Sequence, residues 1–323
     1  MTVSPTPPSA SSETAEPRSV HEHEDDPRNA NILIYVNGDL VRRDQAVVSV
    51  FDAGFVLGDG VWEGLRVHDG HPAFLDEHLD RLYEGAAAIA LDIGRTRDEL
   101  TREIYRTLEA NDMTDGVHMR LMVTRGPKST PYQDPRASAG PATVVMIPEH
   151  KNPRPELQAG IDLFTVHVRR SAPDVLDPKL NAHSKLNDIT ACIQAYTAGA
   201  DEALMLDPNG FVATCNSTHF FIVRKGEVWT SSGAYCLGGI TRSNVLQVCR
   251  EAGIPSHEKL FSLTDVYGAD EAFVTGTYAG VVPVRQVDGR RLADQPPGPM
   301  VLRLQELYAD LVHRDVTARE KDR

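Results

Sequence analysis

The chain has 323 residues, 41% hydrophobic and 24% charged, long enough for one large or two medium domains with a real core. Lys and Arg number 33 against 46 Asp and Glu, and the net charge of −13 argues against nucleic acid or an anionic membrane as the main partner. No apolar run approaches the roughly 18 residues of a membrane span, and no basic-then-apolar leader opens the chain. Cys192, Cys215, Cys236 and Cys249 lack CxxC spacing. No metal site or disulfide framework is expected from them, and the compartment reads as a reducing cytoplasm.

Residues 1–29 are rich in Pro, Ser, Glu and His and read as a disordered tail; His21 and His23 alternate with acids, as metal ligands can, but a solvated tail is the plainer reading. Ile32 to Val41 reads as a hairpin about Asn37-Gly38. Ala46 to Asp52 reads as a further strand leading into the glycine-rich run Gly54 to Gly60. Next comes VWEGLRVHDGHPAFL, strand, turn and strand, with Arg66 inside the first. A guanidinium between apolar neighbours has to meet an anion, either a carboxylate of the protein or a ligand phosphate. Helices follow over Asp76–Leu91 and Thr96–Asn111, then strands over Val117–Thr124, carrying Arg120, and Ala142–Ile147. The polar, proline-containing stretch from Pro148 to Gly160 reads as a linker.

The second half alternates strand and helix around PKLNAHSKLNDITACIQA. Lys179 and Lys185 precede a helical pattern, and a helix N-terminus disfavours a nearby cation, which lowers a lysine pKa and suits a nucleophilic amine. Two solvated surface lysines are the plainer reading of the same residues. A strand at Glu202–Leu206, a turn at Asp207–Gly210 and a second strand through Phe220 to Val223 come next. Gly238-Gly239-Ile240-Thr241-Arg242 opens a helix and forms a cradle for an anion from backbone N–H groups and a hydroxyl. A second hydroxyl-bearing loop, Thr275-Gly276-Thr277-Tyr278, ends the strand that starts at Glu271, and a final helix covers Gly298 to Arg314. No phosphate-binding P-loop and no strand-GxGxxG-helix unit is present.

The ordered series GDGVWEGLRVHDG, VTRG, DEALMLDPNGFVATCNSTHFFIVRKGEVW, GGITR and DEAFVTGTYAG resembles the class IV aminotransferases, the fold-type-IV pyridoxal-phosphate enzymes. The resemblance implies an α+β fold. A small N-terminal α/β domain (30–148) and a linker (149–160) would precede a larger domain with a barrel-like core (161–315) and a tail (316–323). It also implies a homodimer binding pyridoxal 5′-phosphate. Arg66, Gly239, Ile240, Thr241, Gly276 and Thr277 fall on phosphate-binding positions. Arg120 falls near the substrate carboxylate, and Phe55, Trp62 and Tyr278 fall where a pocket would be lined, although each also suits a core.

Two positions depart from the family pattern. A gapless alignment puts Asn181 where relatives carry the Schiff-base lysine. Lys185, one helical turn later, is the expected replacement, and Lys179 is the alternative. Thr214 stands where relatives have the glutamate that keeps the pyridine nitrogen protonated. The implied activity is transfer of an amino group between a branched-chain or other hydrophobic amino acid, or a primary amine, and a 2-oxo acid. A lyase of the same fold and a non-catalytic scaffold are the alternatives.

Overall fold

The computed structural model describes residues 19–293 and 295–321. Its first sheet has six strands in the order β2-β1-β6-β5-β3-β4. They are β1 (Leu33–Val36), β2 (Asp39–Arg42), β3 (Gly60–His68), β4 (His71–Pro72), β5 (Val117–Thr124) and β6 (Thr143–His150). Asn37 and Gly38, at φ 54° and 114°, make the tight β1–β2 turn expected from that dipeptide. Along β3, Val61, Glu63, Leu65 and Val67 are buried while Trp62, Gly64, Arg66 and His68 face the other way. The buried face packs against the helices α2 (Leu75–Ala88) and α3 (Arg97–Glu109), which follow a short α1 (Ala53–Leu57). Leu65, Leu79, Leu82, Leu100, Ile104 and Met119 belong to that core. Strict alternation therefore leaves Trp62, Arg66 and, on β5, Arg120 on the face turned toward the second half of the chain.

The second sheet has nine strands, β12-β11-β10-β13-β14-β7-β8-β9, with β15 paired to β14. These are β7 (Ile161–Thr165), β8 (Glu202–Leu206), β9 (Val212–Cys215), β10 (His219–Arg224), β11 (Glu227–Thr230), β12 (Ser256–Glu258), β13 (Glu271–Gly276), β14 (Gly280–Val287) and β15 (Arg290–Arg291). In a flat sheet β9 and β10 would lie five spacings apart, about 24 Å. The chain joins Cys215 to His219 directly, a reach of at most about 14 Å. The sheet therefore curls back on itself. Helices α4 (Pro173–Leu176), α5 (Leu186–Thr197), α6 (Ile240–Glu251), α7 (Leu263–Tyr267) and α8 (Pro299–Lys321) complete the order. Phe221, Phe273, Val245, Leu246, Val301 and Leu304 share one core between the sheet, α6 and α8, while Ala191 and Ala195 of α5 cluster with Ala203 and Met205.

Several boundaries differ from the expectations above. Ala46–Asp52 is not a strand. Apart from an isolated bridge from Asp52 to Pro127 it has no ladder partner, and Val47 and Val50 are exposed. The long strand expected up to Val223 is two strands, β9 and β10, broken at Asn216–Thr218. β6 runs on to His150 inside the expected linker, and α8 runs on to Lys321 through the expected tail, with Val316 buried. Residues 322 and 323 lie outside the described residues.

Residues 19–29 of the expected tail are fastened to the fold. Val20 is buried among the residues that include Leu157 and Ile161, and the Asn29 amide bonds the His150 backbone in both directions, at 2.9 and 2.8 Å. The rest of the expected tail, residues 1–18, lies outside the described residues.

Candidate active site

Residues 181–183 run beside β3 as an extra rung. The Trp62 N–H donates to the Asn181 carbonyl at 3.0 Å, and the His183 N–H donates to the Gly60 carbonyl at 3.0 Å. Asn181 is buried, and its side-chain amide donates to the Trp62 carbonyl at 2.6 Å. This attachment fixes where the next turn of chain goes. It delivers Lys185, the residue preceding α5, to a point where Nζ lies 3.3 Å from Asn181 Oδ1 and 5.4 Å from the Trp62 ring. Asp188 Oδ2 is 3.9 Å away and is itself paired with Arg170. Burial pushes the Lys185 pKa below the ordinary lysine range; Asp188 opposes this and the charges of Arg170, Arg120 and Arg81 reinforce it. Lys179 is exposed, with its backbone N–H bonded to Asp177. Of the two lysines, Lys185 alone faces β3.

A cavity of about 460 Å³ brings Arg66, Ile240, Thr241, Thr277 and Tyr278 together. Arg66 donates to the Lys151 carbonyl and, at 2.7 Å, to Asn152 Oδ1. Gly239 caps α6 without any side-chain hydrogen bond, so the first N–H groups of that helix have no capping side chain. Thr241 is buried and lines the cavity together with Tyr308 of α8. Gly276 pairs with Gly280 at the end of the β13–β14 ladder, and this sets Thr277 and Tyr278 in the turn between them.

Thr214 is buried on β9, and its hydroxyl donates to the Thr218 carbonyl at 2.8 Å. With that proton committed, the oxygen offers only lone pairs to another group. The same turn wraps the buried Glu202 carboxylate, which accepts from the Ser217 N–H at 2.9 Å, the Ser217 hydroxyl at 2.6 Å and the Thr218 hydroxyl at 2.9 Å. Burial pushes the Glu202 pKa up.

Arg120 lies over the Trp62 ring at 3.8 Å, and the Trp62 indole N–H is buried without a partner among the described residues. Tyr278 is 4% exposed, has a hydroxyl with no partner among the described residues, and sits between His21, stacked at 5.6 Å, and His118, edge-on at 5.4 Å. Burial pushes its pKa up to about 12. Phe55 is not brought to these residues. It stands 72% exposed on α1.

Sequence reasoning missed Asn181 as an anchor, and it missed Glu63, His78 and Arg81. Glu63 occupies an inward position of β3, where a carboxylate demands partners, and His78 falls in the buried stripe of α2 beside Leu75, Leu79 and Leu82. Those two signals were present in the periodicity. His219 is a further case: its Nε2 donates to the Leu237 carbonyl at 2.8 Å, directly beneath the Gly239 turn.

The profile of the family described as Amino-transferase class IV matches residues 60–287. The chain belongs to the class IV aminotransferases. It is 40% identical to the branched-chain-amino-acid aminotransferase-like protein 2 of Arabidopsis thaliana over 285 residues, covering 88% of this chain but only 51% of that protein. It thus spans about half the length of that relative. It is 33% identical to the branched-chain-amino-acid aminotransferase of Pseudomonas aeruginosa over 288 residues, 87% of this chain and 92% of that one. Its fold matches a T.th. branched-chain amino acid aminotransferase solved with pyridoxamine 5′-phosphate, at TM-score 0.81 and 29% identity, covering 87% and 94% of the two chains.

This class IV chain's own residues fit such a group. One cavity gathers a guanidinium, two threonines and an uncapped helix start, the donor set a phosphate requires. A desolvated amine and an unpartnered indole N–H stand beside β3.

Proposed function

We propose that the protein is a pyridoxal-phosphate-dependent aminotransferase acting between a hydrophobic amino acid or primary amine and a 2-oxo acid. The observation that carries this reading is the Lys185 amine, desolvated and aimed at Trp62 from the head of α5. Arg66, Thr241, Thr277 and the backbone N–H groups from Ile240 would hold the phosphate, with Gly239 and Gly276 shaping the two turns. Bound there, the cofactor supplies an electron sink for the substrate's α-carbon. Lys185 would be the nucleophile that carries the cofactor and the base that moves the α-proton, and the burial that lowers its pKa favours the neutral amine both roles need. Arg120, Trp62 and Tyr278 would border the substrate, with Arg120 supplying positive charge for a carboxylate.

The exposed stripe Leu186, Ile189, Ile193 and Tyr196 on α5, together with the exposed Val47, Val50, Phe51 and Phe55 in the chain's first half, supports a homodimer. Phe55 would then reach a pocket across the interface. Among the described residues no helix is long and apolar enough to cross a membrane.

Thr214 keeps a lyase in view, because a neutral hydroxyl whose proton is committed holds no charge beside the ring nitrogen. Product analysis separates the two: only transfer yields an aminated acceptor. Borohydride trapping of the loaded protein followed by peptide mass spectrometry tests the lysine. The cofactor mass should appear on Lys185 and vanish in Lys185→Ala but not Lys179→Ala. Labelling on Lys179, or on neither, refutes the assignment.

A further inference from the structure

His78 is 1% exposed and projects from the first turns of α2. Its Nδ1 lies 2.7 Å from Glu63 Oε2, and Glu63 is fully buried. Arg81 grips the same carboxylate twice, at 2.7 and 2.6 Å, and its third donor reaches the Gly238 carbonyl at 2.7 Å. Burial pushes the Glu63 carboxyl up, but hydrogen bonds from His78 and Arg81 together bring it below the ordinary glutamate range. An ionised carboxylate only accepts, so Nδ1 carries the proton. The opposite nitrogen, Nε2, is buried and has no partner among the described residues, and His78 lines the cavity that holds Arg66, Thr241 and Thr277.

A buried ring nitrogen without a partner, next to three anion-binding side chains, calls for a ligand. We infer that His78 is a further anion-holding residue of this site: Nε2–H donates to the cofactor's phosphate while Glu63 orients and charge-balances the ring. This rests on the cofactor reading above and adds a residue which that reading does not include. In that arrangement Nδ1–H serves Glu63 and Nε2–H serves the phosphate, so the bound ring stands between two acceptors. Arg81 ties the same carboxylate to Gly238, so one buried acid sets both the histidine and the start of the α6 turn. The site would thereby read the phosphate from both halves of the chain.

Asparagine at position 78 keeps an amide near Nδ1, facing Glu63, and removes the cavity-facing atom. Glutamine instead places an amide near Nε2. Binding of pyridoxal 5′-phosphate, pyridoxal and inorganic phosphate is measured by calorimetry on the full chain. His78→Asn should weaken both phosphate-bearing probes by on the order of tenfold, the usual weight of a hydrogen bond to a charged group, and leave pyridoxal unchanged. His78→Gln should retain most of the affinity. Equal loss of pyridoxal and its phosphate in His78→Asn, or no loss of either, overturns the inference.

If the wild type binds inorganic phosphate in this His78-dependent way but not pyridoxal phosphate, the cofactor reading fails and the anion role of His78 stands. If it binds neither phosphate, both fall. Should His78→Asn fail to fold, imidazole ¹⁵N spectra of the wild type decide, with the His78 signal assigned by its absence from His78→Gln. That signal must move on adding inorganic phosphate, and an unmoved signal refutes the contact.

Discussion

Gly239→Ala isolates the packing beneath the anion turn. Gly239 sits at φ −72° and ψ 125°, extended backbone that any residue adopts, so the turn does not require glycine for its conformation. What excludes a side chain is His219. A methyl at Gly239 would stand 2.6 Å from Nδ1 and 2.9 Å from Nε2 of that ring, and nearer still to Cε1. The ring is not free to swing aside, because its Nε2 donates to the Leu237 carbonyl at 2.8 Å. Either the ring leaves its acceptor or the turn leaves the head of α6. Overpacking of this kind costs about 1–3 kcal/mol, and leaving a buried carbonyl unpaired costs a similar amount. A loss of about 2–4 kcal/mol in urea unfolding is therefore expected, together with weaker binding of inorganic phosphate. In a His219→Ala background the methyl has room, and the double-mutant cycle should return about 1–2 kcal/mol of coupling. A Gly239→Ala protein as stable as wild type, or an equal loss in both backgrounds, refutes the reasoning.

Three further outcomes follow from the same geometry. Asn181→Ala removes the amide between Trp62 and the Lys185 amine, and it should cost about 1–2 kcal/mol in denaturant melts and alter the pH dependence of reductive cofactor trapping on Lys185; trapping that keeps its wild-type pH profile counts against the anchoring role. Thr214→Val loses one buried hydrogen bond, about 1 kcal/mol, and should change kcat if the hydroxyl borders the ring; unchanged kinetics would place Thr214 outside the site. Burial pushes the His219 pKa down to about 3, so the unfolded chain takes up that proton first. Stability from this group is full above pH 6.5 and falls as the pH drops toward 3, by up to about 2 kcal/mol at pH 5, and urea melts of wild type beside His219→Gln should show the difference.

The parts of the site that were legible from residues alone are those specified within one or two turns of chain. Alternation along β3 put Arg66 and Trp62 on one face, the Gly-Gly-Ile-Thr run marked a helix start, and the helical pattern after Lys185 favoured it over Lys179. What stayed hidden depends on residues far apart in sequence. Asn181 acts through the backbone of Trp62, 119 positions away, and no local pattern announces that contact. Arg66 was expected to meet an anion, yet its guanidinium is already shared with the Lys151 carbonyl and Asn152, which lie in the stretch taken for a linker. Ala46–Asp52 has the apolar content of a strand but no ladder partner, and side-chain preference without pairing does not make a strand. The single strand expected to reach Val223 failed for a topological reason: the curl of the second sheet needs a corner, and Asn216–Thr218 supplies it.

The fastening of the chain's first described residues has a practical consequence. Asn29 is tied to His150, Glu22 is paired with Arg154 at 3.5 Å, Val20 is sunk in the second core, and between these points His21 lies on the Tyr278 ring. The stretch matched by the family profile begins only at residue 60. An expression boundary at the first strand, Leu33, would strip away the ring stacked on Tyr278, and one at residue 60 would also remove β1 and β2. A protein shortened to Leu33 would keep both sheets and lose the ring stacked on a residue that lines its pocket, so altered substrate preference in that version would report on the missing arm.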